Sequence, residues 1–349
     1  MEQKLHFETD YMAGCHPLVL EALVKTNMAE TVGYGDDHYT AGARQIILDV
    51  CGLTAEEAEV QFFVGGTQTN ATLIDGLLGN CEGVIAADSA HINVHESGAI
   101  ELSGHKVLSL PQKAGKIQAK DLEEYLTHFY ADDTWPHMVI PGMVYITHPT
   151  EYGGLYSVDE LKAIRDICQR YGIPLYLDGA RLGYALGAST TAPTLKDIAA
   201  LCDVFYIGGT KCGAMFGEAA VVRRGLIRHL FSLMKQHGAV LAKGRLLGLQ
   251  FRTLFTDNLY ERICGQAVAL AQELRRIMVD AGFPAVIDSP TNQQFFEMPN
   301  EAIDALAQHV GFEYWGPRGA THSTVRFVTS WATPPQSITQ LANIISTPS

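Results

Sequence analysis

Pro174-Leu175-Tyr176-Leu177-Asp178-Gly179-Ala180-Arg181 passes from a short apolar run into a carboxylate, two small residues and a guanidinium. A second stretch repeats the pattern: Val204-Phe205-Tyr206-Ile207 runs into Gly208-Gly209-Thr210-Lys211-Cys212-Gly213. Near-continuous apolar runs of this length suit strands buried on both faces, as in a parallel sheet covered by helices. Both runs end in small residues that carry charged groups outward, Asp178 and Arg181 from the first and Lys211 from the second. In open α/β sheets ligands bind beyond the carboxyl ends of the strands, so these two ends mark a candidate site.

The same alternation extends outward from this pair. Glu59–Val64 reads as a strand entering Gly65-Gly66, and Thr67–Leu78 as the helix that follows. Val84–Ala87, Lys106–Leu110, Met143–Thr147 and Glu218–Val222 read as further strands. Asp121–Tyr130 has helical spacing with an acidic first turn. Ser157, with Glu160 three residues on, predicts a capping box on a helix running to Tyr171. The result is an α/β domain with a mixed, mostly parallel sheet. After about Lys243 the pattern changes. Helices over Arg245–Thr256 and Leu259–Ala281, strands over Gln293–Met298 and Thr324–Thr329, and a helix over Ala302–Val310 predict a smaller α+β unit. The expected division is an N-terminal arm (1–15), a large α/β domain (16–245) and a small C-terminal domain (246–349).

Composition bounds the functional classes. A chain of 349 residues, 47% hydrophobic, supports one large core and a smaller second one. A formal charge of −13 argues against nucleic acid or an anionic membrane as partner. No apolar run approaches the roughly 18 residues a membrane helix needs. Met1-Glu2-Gln3-Lys4-Leu5-His6 lacks the apolar core of a secretion signal. The seven cysteines are scattered and never spaced Cys-x-x-Cys, as expected of buried thiols in a reducing cytoplasm.

Four segments carry chemistry. Gly65-Gly66-Thr67-Gln68 opens a helix, where free backbone N–H groups and the helix dipole favour an anion and glycine permits close approach; an ordinary turn capped by Thr67 is the other reading. Asp88-Ser89-Ala90-His91 follows a strand, and a lone histidine there is more often structural than catalytic. His91, His95 and Glu96 lack the His-Glu order of a zinc helix, since Ile92 follows His91, and no metal site is expected. Asp178 and Arg181 could be a structural ion pair, but Gly179-Ala180 leave room beside them, and a carboxylate there could pair with a ring nitrogen. Lys211 sits among small residues rather than on a solvated face; shielding and nearby cations favour the free amine that Schiff-base formation needs. The spacing around it does not meet the P-loop pattern.

With these segments in order, the chain resembles the low-specificity L-threonine aldolases of the β-eliminating lyase superfamily, pyridoxal 5'-phosphate (PLP) enzymes with the aspartate-aminotransferase fold (fold type I). The resemblance is nearly full-length. It runs from Thr9-Asp10-Tyr11 and His16-Pro17 through Tyr34-Gly35-Asp36-Asp37, the glycine turn, His91, Thr150-Glu151, Asp178–Arg181 and Gly-Gly-Thr-Lys211 to Val325-Arg326-Phe327. It implies that Lys211 carries the cofactor as a Schiff base and that Asp178 pairs with the pyridine nitrogen. His91 would stack on the ring and act in proton transfer. Gly66, Thr67 and Gln68 would bind the phosphate, and Thr210 would lie against the cofactor beside Lys211. Arg181 and Arg326 would hold the substrate carboxylate, Thr9 would take the place of a family serine or asparagine, and Tyr34 or Tyr39 would line the pocket. A basic residue near Lys243 or Arg245 would reach the phosphate from a neighbouring subunit of a homo-oligomer, a dimer or tetramer. Two departures stand out: Pro149 occupies the slot of a family histidine, and the lysine segment reads Thr-Lys-Cys-Gly rather than Ser-Lys-Gly.

The implied activity is retro-aldol cleavage of L-threonine, allo-threonine or a related β-hydroxy-α-amino acid to glycine and an aldehyde. A PLP-dependent β-elimination or transamination uses the same Lys, Asp and Arg, and the residues alone separate these reactions poorly. A non-catalytic binding protein on the same fold fits less well, since Lys211 and Asp178 are both intact.

Overall fold

The two apolar runs are central strands. The computed structural model describes residues 4–188 and 192–346; the opening Met1-Glu2-Gln3, read above for its lack of an apolar leader, lies outside them. In chain order the strands are β1 (Leu5–His6), β2 (Ala58–Phe63), β3 (Glu82–Ala87), β4 (Lys106–Leu110), β5 (Ile140–Thr147), β6 (Leu175–Asp178), β7 (Val204–Gly208), β8 (Glu218–Arg223), β9 (Gln293–Pro299), β10 (Val310–Gly311), β11 (Glu313–Tyr314) and β12 (His322–Val328). Every residue of β6 and β7 is buried, as their lack of polar alternation requires.

Seven strands form the large sheet in the order β2-β8-β7-β6-β5-β3-β4. Pairing is parallel from β4 through β3, β5 and β6 to β7, and antiparallel where β8 meets β7 and β2. Only residues 209–217 separate β7 from β8, short of the dozen or so that a parallel crossover needs, so β8 must turn back. Every other strand of this sheet therefore points the same way. The carboxyl ends of β2, β3, β5, β6 and β7 share one edge, and β8 begins there.

Helices cover the sheet, and local chemistry explains their ends. Helix Val158–Tyr171 starts with the reciprocal Ser157–Glu160 capping box and stops at Gly172, whose φ of 67° is left-handed. Helix Gly66–Leu77 begins at Gly65 with no side-chain cap, so Thr67 is not the cap of this turn.

A second apolar cluster lies against the antiparallel sheet β11-β12-β9. The N-terminal segment joins it: β1 pairs with β10, and Phe7 is fully buried among Phe296, Phe327 and Met298. Helix Leu259–Asp280 serves both cores. Its Tyr260, Ile263, Cys264 and Val268 pack in the first cluster, and its Leu270, Leu274 and Met278 in the second.

Candidate active site

The shared strand edge encloses a cavity of about 330 Å³. Gly65, Gly66 and Thr67 enter it after β2, His91 and Glu96 after β3, and Thr147, Pro149 and Glu151 at the end of β5. Asp178, Ala180 and Arg181 follow β6, Thr210 and Lys211 follow β7, and Tyr11, Tyr206, Phe216 and Glu218 complete the wall. Segments more than 140 residues apart in sequence thus meet because one sheet edge collects them.

Asp178 is buried and four donors turn to it. Oδ1 accepts from the Tyr206 hydroxyl (2.6 Å) and the Ala180 amide (3.0 Å). Oδ2 accepts from the Tyr145 hydroxyl (2.5 Å) and Asn70 Nδ2 (3.0 Å). Asn70 also donates to Glu96 Oε1 (2.8 Å) and accepts from Tyr176 (2.9 Å), so the carboxylate stands in a fully buried polar network.

Lys211 stands at the cavity wall, and no hydrogen bond or ion pair engages its amine among the described residues. Burial lowers its basicity and the Arg181 cation lowers it further, against the opposing pull of Asp10, Asp178 and Glu218. The carbonyl of Lys211 accepts from Tyr184 (2.6 Å), which fixes the backbone from which the amine extends. Glu218 accepts from the Gly209 amide (3.0 Å), and burial raises its carboxyl above the usual range.

His91 opens the short helix after β3. Its Nδ1 meets Glu96 Oε1 at 2.8 Å and its backbone amide donates to Glu151 Oε1 at 2.9 Å. A carboxylate facing Nδ1 favours the tautomer with its hydrogen on that nitrogen, which leaves Nε2 as the acceptor. Arg181 forms a two-point pair with Asp10: Nε donates to Oδ2 (2.6 Å) and Nη2 to Oδ1 (3.1 Å). Asn292 also donates to Asp10 (3.0 Å), so this ion pair is hydrogen-bonded as well as buried.

The turn after β2 fits a phosphate. Gly65, Gly66 and Thr67 border the cavity where a helix begins without a side-chain cap. A Cβ built on Gly65 meets nothing within 4 Å, so a side chain there would occupy the space the glycine leaves open. Gly179 is needed for a different reason, because its Cβ would lie 1.9 Å from the Tyr206 carbonyl oxygen. A buried carboxylate, an unpaired amine and an open backbone turn around one cavity are the set that a phosphorylated pyridine aldehyde requires.

Some expected site residues lie elsewhere. Gln68 is outside the cavity wall: its amide oxygen accepts from Val64 N (3.3 Å) and its nitrogen donates to His237 O (3.2 Å). Arg326 on β12 is also outside the wall, held by Gln293 (3.0 Å) and by Glu313 and lying over the Trp315 ring. Thr9 borders a separate cleft with Lys4, His6 and Ser330, and its hydroxyl has no partner among the described residues. Tyr34 is half-exposed beneath Lys235, and Tyr39 packs against His38 and Arg252. Conversely, Tyr11, Tyr206, Phe216 and Glu218 reach the cavity without any spacing signal in the sequence, and Glu96 and Glu151 line it as well.

Comparison with known proteins agrees with this geometry. The beta-eliminating lyase family matches residues 6–301. A low-specificity L-threonine aldolase from Pseudomonas sp. (strain NCIMB 10558) is 31% identical over 98% of this chain and 97% of its own length. A Pseudomonas aeruginosa protein of the same name is 30% identical over 97% and 96%. Among solved structures, a threonine aldolase from Leishmania major superposes with a TM-score of 0.94 at 37% identity, covering 98% of both chains. An aspartate aminotransferase from Thermus thermophilus, 14% identical with a TM-score of 0.70 over 99% of this chain and 91% of its own, shares the fold.

Proposed function

The chain belongs to the beta-eliminating lyase family, and from that premise we propose that it is a PLP-dependent carbon–carbon lyase cleaving L-threonine, allo-threonine or a related β-hydroxy-α-amino acid to glycine and an aldehyde. The observation that carries the reading is Lys211: an amine with no partner among the described residues, made less basic by burial, in one cavity with Asp178 and the open glycine turn.

Lys211 would hold the aldehyde carbon of pyridoxal phosphate, Asp178 its ring nitrogen, and the backbone of Gly66 and Thr67 its phosphate, with Thr210 beside them. When bound, the cofactor supplies an electron sink for bonds at the amino acid's α-carbon. The chain's own groups do the rest. Arg181, its orientation fixed by Asp10, offers its remaining nitrogen to the substrate carboxylate. Arg326 is engaged by Gln293 and Glu313 through its two terminal nitrogens, and its Nε has no partner among the described residues. His91, held through Nδ1 by Glu96, presents Nε2 for proton transfer. Tyr206 and Phe216 close the wall and limit water.

We further propose a homo-oligomer. Leu18, Leu20 and Val24 on helix Pro17–Lys25, with Met28 and Val32 after it, are large apolar side chains left exposed, Met28 to 88%. A cytoplasmic location accords with seven cysteines that are all free; no helix among the described residues is long and apolar enough to cross a membrane.

The test is product analysis of the PLP-loaded protein with threonine, allo-threonine and phenylserine. Glycine and the matching aldehyde in equal amounts are expected. Ammonia with a keto acid would instead assign β-elimination, and a keto acid formed with aminated cofactor would assign transamination.

A further inference from the structure

One buried carboxyl in the cavity has no task in the account above. Glu151 follows β5 in the turn Thr147-His148-Pro149-Thr150-Glu151 and is 7% exposed. Its two oxygens are treated differently. Oε1 accepts from both the His91 amide (2.9 Å) and the Thr147 hydroxyl (3.0 Å), which fixes the plane of the group. Oε2 is buried and has no partner among the described residues. Leaving a carboxyl oxygen buried and unpaired is unfavourable, so a site that holds one in place is arranged for a donor that arrives with a ligand.

The neighbouring groups narrow what that donor is. Asp178 already receives four hydrogen bonds. Glu96 also has a buried Oε2 without a partner among the described residues, but it shares Asn70 with Asp178 and meets the His91 ring through Oε1, so it positions that histidine. Glu218 lies on the Lys211 side and accepts from Gly209. Pro149, next to Glu151 in the wall, has no proton to exchange. Among the carboxyls of this wall, Glu151 therefore combines a fixed plane, a free oxygen and no engagement with the groups around Asp178 or Lys211. Burial also raises the pKa of its carboxyl above the ordinary carboxylate value.

We propose that Glu151 is a catalytic residue that takes the proton of the substrate's β-hydroxyl, so that carbon–carbon cleavage depends on it while chemistry confined to the α-carbon does not. The inference rests on the β-hydroxy-amino-acid reading above. In this step the hydroxyl O–H bond breaks, its proton passes to Oε2, and its electron pair becomes the second carbon–oxygen bond of the aldehyde. The pair of the Cα–Cβ bond leaves toward Cα, where pyridoxal phosphate, when bound, would supply the electron sink. A proton taken from water reaches Cα and completes glycine, and Glu151 returns its proton to water, so no net proton is gained or lost.

The experiment compares wild-type and Glu151→Gln holoenzyme in three measurements. These are glycine affinity by titration of cofactor absorbance, exchange of the glycine α-hydrogen for deuterium by NMR, and cleavage of threonine and phenylserine. Glycine has no β-hydroxyl, so its binding and exchange should stay at wild-type values. Cleavage should fall by about 100-fold or more, the scale of a lost general base. Cleavage at the wild-type rate overturns the inference, as does a parallel loss of glycine binding or exchange, since either assigns Glu151 a structural or cofactor-holding role. A wild-type enzyme that exchanges glycine yet cleaves no β-hydroxy amino acid overturns the functional reading itself, and the inference with it.

Discussion

Single residues in this protein are governed by what burial allows. Asp10 is the sharpest case: burial alone would raise its carboxyl, but Arg181 and Lys211 nearby, with hydrogen bonds from Arg181 and Asn292, hold it below the ordinary carboxylate range. A depressed folded-state pKa contributes stability that is present above the unfolded value and lost as pH falls through the folded one. Asp10→Ala leaves a buried guanidinium without its partner. Denaturant unfolding at neutral pH should show a loss of about 3–5 kcal/mol, and that difference should shrink as the buffer is taken below the carboxylate range. At this scale the sequence was partly legible. Lys211 and Asp178 stand out because each ends an apolar run, where a charged residue needs a reason. Glu218, Tyr206 and Phe216 give no such sign, because a lone carboxyl or ring among apolar residues reads the same whether it faces a cavity or a neighbouring helix. Gln68 lies off the wall, bonded to the Val64 amide and the His237 carbonyl. Arg326 lies off it between Gln293 and Glu313, with its Nε buried and without a partner among the described residues.

Elements follow local chemistry wherever that chemistry is complete. The Ser157–Glu160 box is visible in sequence and present in the fold, with Glu160 Oε2 accepting from the Ser157 amide at 2.8 Å and Ser157 Oγ from the Glu160 amide at 3.1 Å. Ser157→Ala should cost about 1 kcal/mol by thermal or denaturant unfolding, without changing the catalytic rate, since the helix start lies outside the cavity wall. Where pairing is non-local, the sequence reading stops short. Periodicity carries a helix from Ala302 to Val310, yet the observed helix ends at Leu306, because Val310-Gly311 is claimed by Leu5-His6 as a parallel pair. Helices Pro17–Lys25, His38–Cys51 and Pro335–Ser346 lie outside the elements expected from the sequence. The first begins at a proline and shows large apolar residues to solvent, so it lacks the one-sided stripe that periodicity detects.

The whole molecule makes a site by strand direction. A mixed, mostly parallel sheet is expected from the alternation of elements, but its order is not, since order is fixed by crossovers that no local window contains. That order, with β8 alone reversed, brings the ends of five strands to one edge and sets a turn at Gly65, a carboxylate at Asp178 and an amine at Lys211 around one space. In the proposed function this amine is the cofactor's anchor. Loading the protein with pyridoxal phosphate, reducing it with borohydride and mapping the digested chain by mass spectrometry tests it directly. One pyridoxyl-modified peptide is expected, bearing the modification on Lys211. A modification at another lysine, or none in a protein shown to be folded, would contradict it.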